Sequence, residues 1–184
     1  MKKNVDMVNN NRLSDDEALN KAKEYISEYL NDEFDLSSMK LVLNSVIDHG
    51  AFIDRSIEFK KFKDDIDTGN SIMVRLTIDG QLISISTNTN KESAVNDPIN
   101  ILVDDAKKIA YSKVIESIDG EKLKSSIKGN FEDYKYTLNK MVFNDTLVWK
   151  IDINGVKLYA DCETKYTIMI SCATGEVVFI SRDV

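Results

Sequence analysis

The residues able to do chemistry in this chain are few, with one histidine, His49, and two cysteines, Cys162 and Cys172. A zinc protease needs two closely spaced histidines and a further ligand, so that site is excluded. His49 as a lone general base would need a nucleophile and oxyanion donors converging on it, and no motif places a partner near the turn predicted at His49-Gly50. No glycine-rich phosphate loop, Gly-x-Ser-x-Gly elbow or Cys-x-x-Cys pair occurs. Ten residues of extended strand would hold the two cysteines about 33 Å apart, so unpaired thiols are expected unless a turn brings them together.

Carboxylates are more plentiful. Asp64-Asp65-Ile66-Asp67-Thr68-Gly69-Asn70 begins like a calcium loop, but counting from Asp65 the position that needs a bidentate glutamate holds Leu76. The stretch is therefore read as a solvated hairpin tip. Asp15-Asp16-Glu17 and Asp104-Asp105 suggest paired catalytic acids, yet each falls in the first turn of a predicted helix, where the dipole favours negative charge. Trp149 and the tyrosines at 134, 136, 159 and 166 could line a groove; large aromatics at strand spacing more often fill a core, the role expected for Trp149, Tyr136 and Tyr166. No catalytic residue, metal ligand or cofactor site is expected.

The elements that would carry these residues follow from hydrophobic periodicity. Ser14 and Glu17 form a capping-box pattern, and Ala18, Ala22, Tyr25, Ile26 and Tyr29 recur at helical spacing, predicting a helix over Asp15 to Leu30. Strand alternation follows at Leu41 and Leu43, at Ile57 and Phe59, and at Ile72, Val74, Leu76 and Ile78, with Asp79-Gly80 as a hairpin into Leu82 to Ile85. A second helix is predicted on Val103, Ala106, Ile109, Ala110 and Val114, closing before Asp119-Gly120. Strands return at Tyr134 to Leu138, Leu147 to Ile153, Tyr166 to Ile170 and Val177 to Ser181. Asn144-Asp145 reads as a turn and Asn154-Gly155 as the strongest hairpin signal in the chain.

The order is thus written twice. Asp16-Glu17-Ala18 with Ala22 parallels Asp104-Asp105-Ala106 with Ala110, and Gly80-Gln81-Leu82-Ile83-Ser84-Ile85-Ser86 parallels Gly175-Glu176-Val177-Val178-Phe179-Ile180-Ser181. The expected fold is α+β: two tandem units, each one helix packed on an antiparallel sheet of about four strands, cystatin-like or PepSY-like. The expected boundaries are a flexible tail over 1–12, unit one over 13–87, a linker over 88–98 around the only proline, and unit two over 99–184.

The helix openings Leu13-Ser14-Asp15-Asp16-Glu17-Ala18 and Val103-Asp104-Asp105-Ala106-Lys107-Lys108-Ile109-Ala110 resemble those of the PepSY superfamily, in particular its tandem YcdB/YcdC-type relatives. The stretch from Ile57-Glu58-Phe59-Lys60 through Asp67 to Val74 is similar to that family's long hairpin. Trp149 with Tyr166-Thr167-Ile168 and Ala173-Thr174-Gly175-Glu176-Val177-Val178 resembles its closing signature. Leu102 departs from the pattern where Ser14 caps the first copy, and Val156 to Asp161 is an additional strand-like stretch. The resemblance implies a non-catalytic extracytoplasmic or cell-surface module that binds a peptide or protein and inhibits or regulates a peptidase or a wall or germination enzyme. The alternative is a small-ligand sensor whose pocket is lined by the aromatics and Arg75.

Composition fits a folded protein with few further partners. A formal charge of -7 disfavours nucleic acid, and no run of roughly 18 apolar residues offers a membrane span. Met1 to Leu13 carries no leader-like apolar stretch, so a leader or anchor is absent from the sequence read here.

Overall fold

A computed structural model of the chain describes residues 12–31, 34–50, 52–117, 134–159 and 162–183. It divides into two compact units, one of Met1–Phe62 and Gly69–Thr89, the other of Lys63–Thr68 and Asn90–Val184.

In the first unit, helix α1 spans Asp15–Leu30, the predicted range. The Ser14 hydroxyl accepts from the Glu17 backbone N–H, and the Glu17 carboxylate accepts from the Ser14 N–H at 2.8 Å. Such a cap contributes about 1 kcal/mol by satisfying donors that have no partner inside the helix. The helix closes at Asn31 in the left-handed conformation, φ 44°. Strands β1 (Met39–Asp48), β2 (Ile53–Lys63), β3 (Ile66–Thr77) and β4 (Leu82–Asn88) follow. Ala18, Ala22 and Ile26 are buried against Ile57 and Phe59 of β2 and Ile72, Val74 and Leu76 of β3. The two alanines let the helix backbone approach the sheet, and each fully buried isoleucine contributes roughly 1.5–3 kcal/mol. The Asp79-Gly80 turn joins β3 to β4 as predicted; Gly80 has φ 90°, and a Cβ there would collide with the Leu13 side chain.

In the second unit, helix α2 spans Val103–Ser117, and β5 (Lys135–Phe143), β6 (Thr146–Tyr159), β7 (Cys162–Ser171) and β8 (Val177–Asp183) pair in sequence as an antiparallel meander. The predicted close of α2 at Asp119-Gly120 lies outside the described residues. Ala106, Ala110 and Val114 pack on Ile151, Ile153, Tyr166, Ile168 and Ile170, with Tyr136 and Trp149 against the same cluster. The core role expected of Trp149, Tyr136 and Tyr166 is therefore what the structure shows. The Trp149 indole N–H donates to the Ile101 carbonyl at 2.9 Å. Within 88–98, Glu92–Asn96 forms a 3₁₀ turn whose Ala94 and Val95 are buried with Val142 and Ile66.

Two expectations are corrected here. Asn154-Gly155 is not a hairpin: β6 runs through it as a 14-residue strand. Gly155 has φ 80°, and the pairing with β7 shifts between Ile153 and Val156. Positive φ is equally the signature of a bulge inside a long strand, and the dipeptide alone does not separate the two.

The second correction concerns the fold class. The strands form one eight-stranded mixed sheet in the order β1-β2-β3-β5-β6-β7-β8, with β4 pairing β3, rather than two separate antiparallel sheets in tandem. Within the second unit, the start of β3 meets β5 through a single parallel bridge, Asp67 to Met141. Asp64 and Asp65, with φ 51° and 60°, make the tight turn from β2 into β3. The first residues of β3 belong to the second unit. Alternation reports which face a side chain takes, not which strand lies beside it, so a one-residue bridge leaves no trace in the pattern.

Candidate functional site

Among the described residues, strands β1, β4 and β8 each pair on one side only, and each carries a bulge. The register skips Val42 between Leu41 and Leu43, Ile83 between Leu82 and Ser84, and Val178 between Val177 and Phe179. All three skipped residues are exposed aliphatics. A bulge bends and twists an edge, which blunts it against indiscriminate strand addition. Beyond each bulge the strand is regular again.

The β8 edge is the most apolar of these. Val178, Phe179 and Ile180 are consecutive and exposed, at 39%, 37% and 42%. Phe179 pairs with Met169 and Ile180 with Ile168. Ile168 packs against α2, so Phe179 stands on the opposite face. There its ring meets that of Phe143 at 5.6 Å between centroids. These phenylalanines lie on the first and last strands of the meander, so the ladder coils toward this face for their rings to touch. Val148, Met169 and Ser171 are buried on it. Apolar residues on this face alternate with polar ones: Lys150 lies opposite Met169, and Asp152 accepts from the Thr167 hydroxyl at 2.7 Å and pairs with Lys165.

The equivalent face of the first unit is polar. Asp54 is 0% exposed and sits on β2 facing away from α1, where it is ion-paired to Arg75, whose Nε donates to Asp54 Oδ2 at 2.9 Å and whose Nη2 also contacts that oxygen. His49 Nε2 lies 3.2 Å from the other carboxylate oxygen, and its ring stacks on Phe52 at 4.5 Å. Burial alone would push the Asp54 carboxyl up, but the hydrogen bonds and charges of Arg75 and His49 outweigh it and hold the group below its ordinary 3.8. A carboxylate consumed by two cationic or donor groups is poorly placed to accept a proton from a substrate. Sequence reading picked out His49 and Arg75 separately but gave no signal joining them to Asp54, because they sit on two strands and a turn.

The remaining candidate residues fall into structural roles. Arg55, on the helix-facing side of β2, donates to Asp15 Oδ1 at 2.7 Å and to Asn44 Oδ1 at 3.1 Å. Asp104 and Asp105 lie in the first turn of α2 and pair with Lys107 and Lys108 at 3.4 Å. Of the stretch read as a solvated tip, only Asp64 and Asp65 are exposed at the turn; Asp67, Thr68 and Asn70 are buried in β3. Cys172 is a free buried thiol, pushed up to about 11 by burial. The side chain of Cys162 lies outside the described residues, as does that of Tyr159. No group of three or more histidine, cysteine or acidic residues among the described residues could hold a metal ion, and no helix among them is long and apolar enough to cross a membrane.

Comparison with known proteins adds little. No family model and no curated protein matches the chain. A search of solved structures returned the crystal structure of a protein from Clostridium difficile 630 described as a candidate lipoprotein, at 15% identity and a TM-score of 0.31, over 96% of this chain and 97% of that one.

Proposed function

We propose that this chain is a non-catalytic module that binds an extended peptide or protein segment outside the membrane, with β8 as the receiving edge. The observation that carries this reading is the exposed run Val178-Phe179-Ile180 on a strand that, among the described residues, pairs on one side only. An added strand gains main-chain hydrogen bonds with little sequence demand, while two consecutive side chains find apolar neighbours, one at Phe179 and one on the other face at Ile180. The resemblance to the PepSY superfamily supports the same reading. It further points to an extracytoplasmic setting and to a surface peptidase or a wall or germination enzyme as the regulated target.

Panning a displayed peptide library against the purified protein tests it. Enriched sequences should be extended and carry consecutive apolar residues, and their binding should protect the amides of 179–183 from hydrogen exchange. Absence of any enriched peptide, or protection confined to other strands, would sink the proposal.

A further inference from the structure

We infer that the first unit carries a small-ligand site at the end of α1, and that its ligand is a protonated amine with an apolar body. The site lies in the first unit, and the reading of β8 as a binding edge does not enter it.

A cavity of about 400 Å³ opens at the end of the helix, a volume at the low end of what small ligands fill. Its walls follow from how the helix stops. α1 ends at Leu30 with Asn31 in the left-handed conformation, and the chain re-enters the sheet through a 3₁₀ turn, Leu36–Ser38, immediately before β1. Ile26 and Leu30 from the helix, and Phe34 and Leu36 from the returning segment, belong to or pack against the first unit's core. These four make the apolar walls of the cavity, and Ser27, Asp35 and Ser37 are its polar groups.

The polar groups favour positive charge. Asp35 Oδ1 accepts from the Ser37 backbone N–H at 3.0 Å and from the Ser37 hydroxyl at 2.6 Å. Both donors are on one oxygen, which leaves Oδ2 with acceptor capacity for a ligand. The hydroxyl and N–H of Ser37 hold the carboxyl below its ordinary 3.8, with Lys61 a smaller contributor. The open oxygen is therefore anionic at neutral pH. The helix end adds a second negative element, because its last carbonyls carry the negative pole of the dipole and no basic side chain stands in the last turn. A net charge of -7 draws cations toward the chain as a whole. An amine bound here meets apolar surface along its body and acceptors at its head, whereas a carboxylate of the same shape meets like charge.

Phenethylamine, phenethyl alcohol and phenylacetate present one ring with a cationic, a neutral and an anionic head. Titrating each into the isotope-labelled full chain and following amide NMR shifts tests the inference. Phenethylamine should give saturable shifts centred on the residues that line the cavity, and should bind about tenfold tighter than the alcohol. Phenylacetate should give none. Ser27→Trp, at an exposed position on the cavity wall, should abolish the shifts, with the fold checked by circular dichroism. Asp35→Asn, which keeps the oxygen that Ser37 donates to, should lower the affinity for the amine to that for the alcohol. Phenethylamine shifts that map elsewhere, or that survive Ser27→Trp, overturn the site. Equal affinity for amine and alcohol, or tighter binding of phenylacetate, overturns the class of ligand. Absence of binding by all three overturns both.

Discussion

The β3–β4 and β7–β8 edges are the same backbone device carrying opposite chemistry. Each bulges at an exposed aliphatic, Ile83 or Val178, and each bulge follows a pair that contacts the helix-facing core, Leu76 with Leu82 or Ile170 with Val177. The next pair along is Arg75 with Ser84 in the first unit and Met169 with Phe179 in the second. Where the first unit puts a cation, it also supplies Asp54 on β2 and closes the charge inside its own sheet. Where the second puts methionine and phenylalanine, that pair is uncharged, with Lys150 across from Met169 on β6. The bulge and the helix-facing core pair thus recur in both units, while the residues on the opposite face differ.

Exchanging the two chemistries should break the comparison most severely. Arg75→Met leaves a fully buried carboxylate with only His49, and is expected to cost about 3 kcal/mol, because an uncompensated buried charge outweighs the lost attraction. A fall in the urea midpoint of that size checks it; a change under about 0.5 kcal/mol would mean that Asp54 is solvated in the folded protein. The reverse change, Met169→Arg, places a cation at an 8% exposed position directly opposite Lys150. It should cost about 2 kcal/mol by the same measurement, from desolvation and like-charge repulsion.

Acid should separate the faces next. Because the folded protein holds the Asp54 carboxyl below its ordinary 3.8, the unfolded chain takes up that proton first. The contribution is therefore complete above that value and is lost as pH falls through the lower folded-state one. Urea midpoints between pH 2 and 7 should show this slope in the parent, and Asp54→Asn should flatten it. The smallest effect is expected in the second core, where Tyr166 is 2% exposed and its hydroxyl has no hydrogen-bond partner among the described residues. Tyr166→Phe removes an unsatisfied group at constant shape and should be neutral or stabilising by up to about 1 kcal/mol. A loss beyond 1 kcal/mol in thermal unfolding would instead reveal a bound water on that oxygen.

The sequence makes these units legible unevenly. Both helices announce themselves through spacing and, for α1, through Ser14 and Glu17, because capping and amphipathic burial are local. The turns at Asp79-Gly80 and Asn144-Asp145 are likewise local; Asn144 and Asp145 adopt φ 47° and 58° as a tight hairpin requires. Gly155 misleads because one backbone conformation serves both turn and bulge. The bridge from Asp67 to Met141 and the union of His49, Asp54 and Arg75 are contacts between distant stretches, which no local pattern encodes. The β8 edge lay in plain view as Val178-Phe179-Ile180, but its exposure depends on β8 being the last strand of the ladder.

The turn at Asp64-Asp65 has a practical corollary for anyone dissecting the chain. Residues 63–68 belong to the second unit although they sit in the middle of the first unit's sequence, and Ile66 packs on Ala94, Val95 and Val142. A fragment starting at Asn90 would therefore lose an internal piece of its own core, and one ending at Thr89 would carry that piece away unused. Separate expression of either half calls for grafting or circular rearrangement rather than a single cut.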